Sequence, residues 1–398
     1  MHSKHSPQNE TAAHKKAGIG GEACVVPIAF SEAGSTQGYD IVIGAGVLSS
    51  AGDMIRKRLG TRRCIIVTDS NVGPLYLQRL EALLTASGHA CLPAMAIPAG
   101  EASKSYAELQ AVLNHMLLNG ADRKTLVIAL GGGVVGDLAG LSASLALRGL
   151  DIVQVPTSLL AQVDSSVGGK TGIDTLAGKN TVGTFNQPKL VVADVTLLDS
   201  LPPREMRAGY AEVIKYGVIQ DKEFFGWCCS HGARLLQGDR PAQIHAVEQS
   251  CRYKAAIVAA DEHEQGIRAL LNMGHTFGHA LEAVIGYDNN RLIHGEAVSI
   301  GMIMAMKLSA RLKLCAPQDA DQLGNHLQEV GLPILPPASN SVSVDRLIEM
   351  MAMDKKAQAG KLTLVLARGI GQAFVQQGVD AQSVRSIWEE TLSESGRR

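Results

Sequence analysis

The residues best equipped for chemistry lie in one stretch, Asn272-Met-Gly-His275-Thr-Phe-Gly-His279, followed by His294-Gly-Glu296. His275 and His279 are four apart, so on a helix their imidazoles share one face, the spacing that also serves helical zinc sites. Glu212, in Glu212-Val-Ile-Lys215, lies upstream on a predicted helix. Neutral imidazoles plus one carboxylate, leaving a coordination position open, describe a catalytic zinc site. Spacing alone makes both His275 and His279 candidate ligands. A histidine pair on a helix is also a common core or capping feature. Three of the twelve histidines fall between positions 275 and 294, and that clustering favours ligation.

A second group suits phosphates. Gly131-Gly-Gly133-Val-Val-Gly136-Asp137 follows an apolar strand pattern and opens a predicted helix. It satisfies G-x-G-x-x-G, in which glycines let the backbone approach a pyrophosphate and the helix N-terminus stabilises its charge. No acid closes the next strand to take a ribose hydroxyl, because Asp151 lies at that strand's start; Asp69 and Asn71, ending an earlier strand, are the alternatives. Asp164-Ser-Ser-Val-Gly-Gly169-Lys170-Thr171 and Gly178-Lys179-Asn180 place lysines between glycines. GGKT matches the tail of a P-loop, but that motif's first glycine would be position 164, which is Asp. These lysines are read instead as donors to phosphate or sugar oxygens. Arg148, Lys215, Lys254, Arg268 and Lys355 add cations; taken singly, each would default to a solvated face. Asp261-Glu-His263-Glu264 reads as a solvated surface run.

The elements that must position these residues follow from periodicity. Cys24–Phe30 and Tyr39–Ile43 read as a hairpin, and Arg63–Thr68, 90–97, Thr125–Leu130, Asp151–Pro156 and Leu190–Ala193 as strands. Helices are expected after Asn71 to about Ser87, over Ser103–Leu118 and over Gly136–Leu147. Strands alternating with helices mean βαβ units and a largely parallel sheet. After Leu201-Pro202-Pro203 helical periodicity dominates to Lys313, with a small strand pair at Lys361–Leu366 and Gln372–Val375. The expected class is α/β: a Rossmann-like nucleotide domain over 22–200, then a mostly helical metal- and substrate-binding domain over 201–398. Residues 1–21, polar and without an apolar core, are expected to be a flexible tail rather than a secretory signal.

Composition narrows the function. With 37 Lys+Arg against 38 Asp+Glu, the chain has no cation excess to track nucleic-acid phosphates. An anionic ligand must be met by a local cation cluster. Seven cysteines, an odd number without a CxxC pair, fit reduced thiols better than a disulfide framework. The most apolar stretch, Thr125–Leu147, carries Asp137 and three adjacent glycines, and a mid-span Asp costs about 2.5–3.5 kcal/mol in a bilayer. No membrane partner is expected.

The motifs GGGVVGDLAG, RGLDIVQVPTSLLAQVDSSVGGKTGID, GKNTVGTFNQP, LPPREMRAGYAEVIKYG, RALLNMGHTFGHALE, HGEAV and MDKK run in that order between Cys24 and Val375. Together they resemble the 3-dehydroquinate synthases of the shikimate pathway, within the sugar-phosphate cyclases. The resemblance implies NAD and Zn²⁺ or Co²⁺ as cofactors, with Glu212, His275 and His294 as metal ligands and His279 facing the substrate. It places NAD on Asp69, Asn71, Glu101, Lys104, Gly132, Gly133, Val134, Asp137, Thr157, Ser158, Leu160, Asp164, Lys179 and Ser200. It places the substrate on Arg148, Lys170, Asn180, Lys215, Lys254, Arg268, Asn272, His279 and Lys355, or on Lys356 in place of Lys355. Ser158 stands where a second Thr is common, and the first residues have no counterpart.

The implied reaction converts 3-deoxy-D-arabino-heptulosonate 7-phosphate, a phosphorylated sugar acid, to 3-dehydroquinate and phosphate. Oxidation at C5 by NAD acidifies the neighbouring C–H, phosphate leaves by β-elimination, NADH returns the hydride, and an intramolecular aldol closes the carbocycle. A cytoplasmic homodimer is the implied setting. Two alternatives share the layout. Another sugar-phosphate cyclase, making an inosose or valiolone ring, would leave Lys254, Arg268 and Asn272 without a carboxylate to meet. A metal-dependent polyol dehydrogenase would lack the GGKT and GKN loops and consume NAD stoichiometrically.

Overall fold

The computed structural model describes residues 23–29, 38–264, 266–337, 342–353 and 361–397. The expected tail over 1–21 lies outside them. The first half runs β1 (Cys24–Ala29), β2 (Gly38–Gly44), α1 (Ala51–Leu59), β3 (Arg63–Asp69), α2 (Gly73–Ala86), β4 (Ala90–Cys91) and β5 (Met95–Ile97). It continues through α3 (Tyr106–Leu118), β6 (Leu126–Gly131), α4 (Gly133–Leu145), β7 (Asp151–Pro156), β8 (Lys170–Thr175), β9 (Gly178–Phe185) and β10 (Leu190–Asp194). Among the described residues one sheet has the order β1-β2-β10-β7-β6-β3-β4, with β5 also on β3. Only β1 is antiparallel to its neighbour.

The second half is helical: α5 (Pro203–Gln220), α6 (Lys222–Leu236), α7 (Arg240–Ala260), α8 (His275–Val284), α9 (His294–Arg311), α10 (Pro317–Glu329) and α11 (Val344–Met353). The antiparallel pair β11 (Lys361–Ala367) and β12 (Ala373–Asp380) and helix α12 (Ala381–Ser395) complete it.

Strand alternation divides the core. Cys64, Ile66, Leu126, Ile128 and Val192 point toward Ile55 of α1 and Leu80 and Leu84 of α2. Ile65, Val67, Val127 and Ala129 point the other way, onto Val112 of α3 and Val135 and Leu138 of α4. Strands buried on both faces read as continuous apolar runs, which is why they were legible. On that second face, β1, β2 and β10 meet a different partner. Val26, Ile41, Ile43, Val191 and Ala193 join the core of the helical half, with Tyr210, Ile214, Phe277 and Met302. The helices therefore dock directly on the sheet.

Three expectations are corrected. The single strand over 90–97 is two short ones, interrupted at Leu92-Pro93-Ala94, where proline removes a ladder donor. The α4 helix starts at Gly133, with Gly132 as its N-cap, not at Gly136. The two lysine loops are an antiparallel hairpin, β8–β9. Its strands are polar and half exposed, so no apolar run announces them. Thr184 Oγ1 donates to Ser144 Oγ at 2.8 Å and Asn186 Nδ2 to the Gly140 carbonyl at 3.0 Å, holding the hairpin on α4.

Helices α8 and α9 touch through backbone. Gly274, the N-cap of α8 at φ +83°, lies against Gly301 of α9, where a methyl group would overlap the Gly274 carbonyl. Gly301→Ala is expected to destabilise the fold by about 1–3 kcal/mol through overpacking. A lowered urea midpoint at unchanged slope checks it; an unchanged midpoint would show that the helices can part freely.

Candidate active site

Three elements deliver the metal-like triad. Glu212 sits mid-way along α5, a helix buried along nearly its whole length from Met206 to Ile219. His275 and His294 are the first residues of α8 and α9. Glu212 Oε1 lies 3.9 Å from His275 Nε2 and 4.0 Å from His294 Nε2. Tetrahedral zinc ligands at 2.0–2.2 Å from the ion sit roughly 3.4 Å apart, so a small contraction would close the site on an ion. Glu212 is 1% exposed, and neither carboxylate oxygen has a directed hydrogen bond among the described residues. The Lys215 ammonium abuts Oε2 as an ion pair. A buried Oε1 with no hydrogen bond, facing two imidazoles, is what a divalent cation would satisfy. Burial pushes His275 well below its ordinary pKa, aided by the positive charges of Lys215, His294 and His279, which keeps its ring in the neutral, ligating form.

The approach of the two helices is fixed locally. A methyl at Gly295 would overlap the backbone of Ala208 in α5, so only glycine permits this closeness. Glu296 accepts from the Ile293 N–H at 3.1 Å and forks onto Arg204 of α5 at 2.6 and 2.7 Å. It caps α9 and ties it to α5.

His279 stands one turn beyond His275, its ring centroid 5.3 Å from that of His275 and 5.9 Å from that of His294. A second donor group, His279, Glu282 and His294, shares His294 with the first. Glu282, 3% exposed, faces His294 Nδ1 through Oε2 at 3.4 Å and accepts from Lys179 Nζ at 2.9 Å through Oε1. Burial would raise its carboxyl, but the charges of His294 and Lys179 hold it well below the usual range. Sequence reading missed Glu282. Its spacing, seven after His275 and three after His279, was the available signal.

The cations gather beside the triad. Lys254, 6% exposed, donates to the Asp164 carbonyl at 2.7 Å and to its Oδ1 at 2.8 Å. Burial works against the Asp164 carboxylate, yet Lys254 and Lys215 hold it far below its ordinary range. Arg268, 1% exposed, donates to the carbonyls of Glu262 at 2.5 Å and Gly168 at 3.1 Å, and its Nε has no partner among the described residues. Lys170 pairs with the Glu264 carboxylate, which also accepts from Asn272 Nδ2 at 2.9 Å. The acidic run over 261–264 is therefore not merely solvated surface: Glu262 accepts from Gln187 at 2.9 Å and Asp261 from the N–H groups of Gly266 and Arg268. A single glutamate and a lysine far apart in sequence gave no signal of that meeting.

The nucleotide-type residues line the carboxyl ends of the strands. Gly132, Gly133 and Val134 form the start of α4, and Thr157 donates its N–H to the Gly131 carbonyl at 2.9 Å. Asp137 pairs with Lys104 Nζ at 2.8 Å; Lys104 in turn meets the side-chain oxygen of Asn180 and lies 3.8 Å from Glu101. Burial raises the Asp137 carboxyl above its ordinary pKa, and Lys104 opposes this. Lys179 also approaches Glu101, at 3.8 Å. Asp69 Oδ1 accepts from the N–H groups of Asn71 and Val72, shaping the turn after β3. Ser158 Oγ accepts from Ala161 N, Leu160 precedes the π-helical turn Ala161–Ser165 that holds Asp164, and Ser200 accepts from Tyr76. Asp151 faces away, pairing with Arg62 and Lys189 at the other end of the strands.

One expected residue is not gathered, and one cannot be placed among the described residues. Arg148 is exposed at the far end of α4 in a left-handed conformation, φ +70°. Lys355 and its neighbour Lys356 lie outside the described residues.

Comparison with known proteins fits this layout. Residues 94–208 match the family model described as 3-dehydroquinate synthase N-terminal, and residues 209–357 the one described as 3-dehydroquinate synthase C-terminal. A 3-dehydroquinate synthase of Rhodospirillum rubrum is 51% identical over 381 residues, covering 94% of this chain and 97% of that one. One of Sinorhizobium medicae is 50% identical over 364 residues, covering 89% and 94%. Among solved structures, a 2-deoxy-scyllo-inosose synthase complexed with carbaglucose-6-phosphate, NAD⁺ and Co²⁺ superposes with TM-score 0.83 at 24% identity, covering 92% of this chain and 100% of that one. A 2-epi-5-epi-valiolone synthase from Streptomyces hygroscopicus with NAD⁺ and Zn²⁺ gives 0.82 at 28%, covering 91% and 99%.

The two helical histidines make separate forecasts. His275→Ala should lose the metal, because it removes one of the three donors Glu212, His275 and His294. His279→Ala should retain about one metal ion per chain while losing most turnover. Metal analysis of the two folded variants decides; a metal-free His279→Ala protein would restore the reading in which the two helical histidines bind together.

Proposed function

The chain belongs to the 3-dehydroquinate synthase family, and we propose from that membership how its residues divide the work of the reaction. The activity is conversion of 3-deoxy-D-arabino-heptulosonate 7-phosphate to 3-dehydroquinate and phosphate, a phosphate-eliminating lyase step of the shikimate pathway. When bound, NAD supplies a reversible hydride acceptor, and Zn²⁺ or Co²⁺ supplies a Lewis acid for the substrate's hydroxyls.

Glu212, His275 and His294 hold the ion and leave a position open. The start of α4, with Thr157, Ser158, Leu160 and Asp164 around it, receives the pyrophosphate side of the nucleotide; Asp69, Asn71, Glu101, Lys104, Asp137, Lys179 and Ser200 complete its site. Lys170, Asn180, Lys215, Lys254, Arg268, Asn272 and His279 receive the substrate, with Arg148 and Lys355 assigned to it by family resemblance. His279, beside the triad but outside its Glu212 grouping, is placed to carry a proton or hydrogen bond to the substrate. Residues 22–200 serve as the nucleotide domain and 201–398 as the metal- and substrate-binding domain. In support, Pro202-Pro203 opens α5 just after the last strand of the sheet. The working unit we take to be a cytoplasmic homodimer. Seven unpaired cysteines accord with a reducing compartment, and no helix among the described residues is long and apolar enough to cross a membrane.

One observation carries the substrate assignment. Lys170 and Asn272, from different halves of the chain, already grip a carboxylate, that of Glu264. Their geometry suits the anionic ends of a phosphorylated sugar acid.

The test is purified protein with the heptulosonate phosphate and NAD far below stoichiometry. Phosphate release over many turnovers per NAD, without lasting NADH absorbance, is expected; one turnover per NAD would indicate a dehydrogenase. Lys170→Ala and Arg268→Ala should each weaken substrate binding by about 1.5–3 kcal/mol while sparing NAD affinity. An equal loss of NAD affinity would move both residues out of the substrate site.

A further inference from the structure

The contacts of Glu282 go beyond what ligand binding requires. Its carboxylate is 3% exposed and lies in the last turn of α8, where the helix's negative end opposes an anion. Such a group is costly unless both oxygens are engaged by cations or donors. Both are: Oε2 faces His294 Nδ1 at 3.4 Å, and Oε1 takes Lys179 Nζ at 2.9 Å. His294 presents its other nitrogen, Nε2, to Glu212. Lys179 belongs to the β8–β9 hairpin, which rides on α4, the helix of the glycine turn. It also reaches Glu101 at 3.8 Å and lies over the Tyr287 ring, 5.0 Å from its centroid.

We propose that Glu282 is a positioning residue that orients His294 for the metal and, through Lys179, couples metal binding to NAD binding. A carboxylate on the distal nitrogen of a ligating imidazole fixes its tautomer and ring angle and raises its basicity; losing such a partner typically weakens metal binding 10–100-fold. Here the same carboxylate is shared with a lysine of the nucleotide side. Whatever draws Lys179 toward or away from Glu282 changes how firmly His294 is held. Linkage makes the effect reciprocal: NAD must alter metal affinity by the factor by which metal alters NAD affinity. The coupling rests on Lys179 contributing to the nucleotide site, as assigned above; the orientation of His294 does not.

The test uses the full chain and reads binding, not turnover. Zinc dissociation constants are measured by chelator competition with and without saturating NAD, for the wild type, Glu282→Gln, Glu282→Asp and Lys179→Met. Glu282→Gln, nearly isosteric, should bind zinc 10–100-fold more weakly without NAD and shift the visible bands of the Co²⁺-substituted protein. Glu282→Asp should recover part of both, and circular dichroism establishes that each variant is folded. NAD should change zinc affinity at least fivefold in the wild type and less than twofold in Glu282→Gln and Lys179→Met. Zinc affinity and Co²⁺ bands unchanged in Glu282→Gln would overturn the positioning role. An NAD effect of equal size in all four proteins would overturn the coupling. Unchanged NAD affinity in Lys179→Met would remove Lys179 from the nucleotide site, a failure distinct from both. If Glu282→Gln does not fold, Glu282→Asp and Lys179→Met carry the same two comparisons.

Discussion

A carboxylate in the middle of a buried helix constrains everything near it. Glu212 has no route to water, since α5 is enclosed along nearly its whole length and the side chain is 1% exposed. Burying an ion costs several kcal/mol even after relaxation, and one partner seldom offsets it fully. Lys215, a turn later on the same helix, offsets part by neutralising the charge. Both imidazoles face the same oxygen of Glu212 from helix N-termini; burial keeps that of His275 neutral, whereas Glu282 favours the charged form of His294. Two imidazoles and a half-satisfied carboxylate make a poor resting arrangement but a good cradle for a divalent cation. The surrounding structure serves that convergence: the glycine contacts between α8, α9 and α5, and the Arg204–Glu296 fork that fixes where α9 begins.

The same convergence explains why the helical half shares a core with the sheet. If the helices hung on a flexible joint, the distance from the glycine turn to the triad would vary. Instead β1, β2 and β10 turn one face into the helical core. At the end of β10 the fully buried Asp194 accepts from the N–H groups of Gly46, Leu48 and Thr196, each at 2.9 Å. That one side chain organises the turn after β2 and the 3₁₀ turn Val195–Ser200 leading into α5. Nucleotide-side and metal-side residues therefore meet on a common frame at the carboxyl ends of the strands, where ligands of open α/β sheets bind.

Much of this was legible in the sequence, for a physical reason. Strands buried on both faces and long amphipathic helices broadcast their period, so the sheet and the helical half were readable. The β8–β9 hairpin was not, because polar, half-exposed strands carry no such period, and its lysines looked like loop residues. The triad's members were legible as chemistry-bearing types. Which two histidines pair with Glu212 was not, because i, i+4 spacing cannot report a third element such as the N-terminus of α9. Spacing favoured His275 with His279; family resemblance favoured His275 with His294, and the geometry brings that second pair to Glu212. Glu264 was the clearest misreading. A run of acids looks like solvated surface until the fold brings Lys170, from ninety-four residues away, onto it.

Pairing also accounts for how a protein of net charge −1 can assemble so many cations in one place. Left alone, Lys170, Lys215, Lys254 and Arg268 would repel one another, and burial would strip the solvent that screens them. Each lysine is instead matched with an acid from the chain: Lys170 with Glu264, Lys215 with Glu212, Lys254 with Asp164. Arg268 is held by backbone carbonyls, whose partial charges hold a guanidinium without neutralising it. The matching is graded by depth. Glu212 and Lys215 are sealed in and the Lys254 side chain is 7% exposed, whereas the Lys170 side chain is 48% exposed, so of these three lysines Lys170 is the one most open to water and to an incoming anion. An exposed ion pair contributes little to stability, typically under about 1 kcal/mol. The cluster is therefore rigid where charge must be stored and loosely held where it must be exchanged.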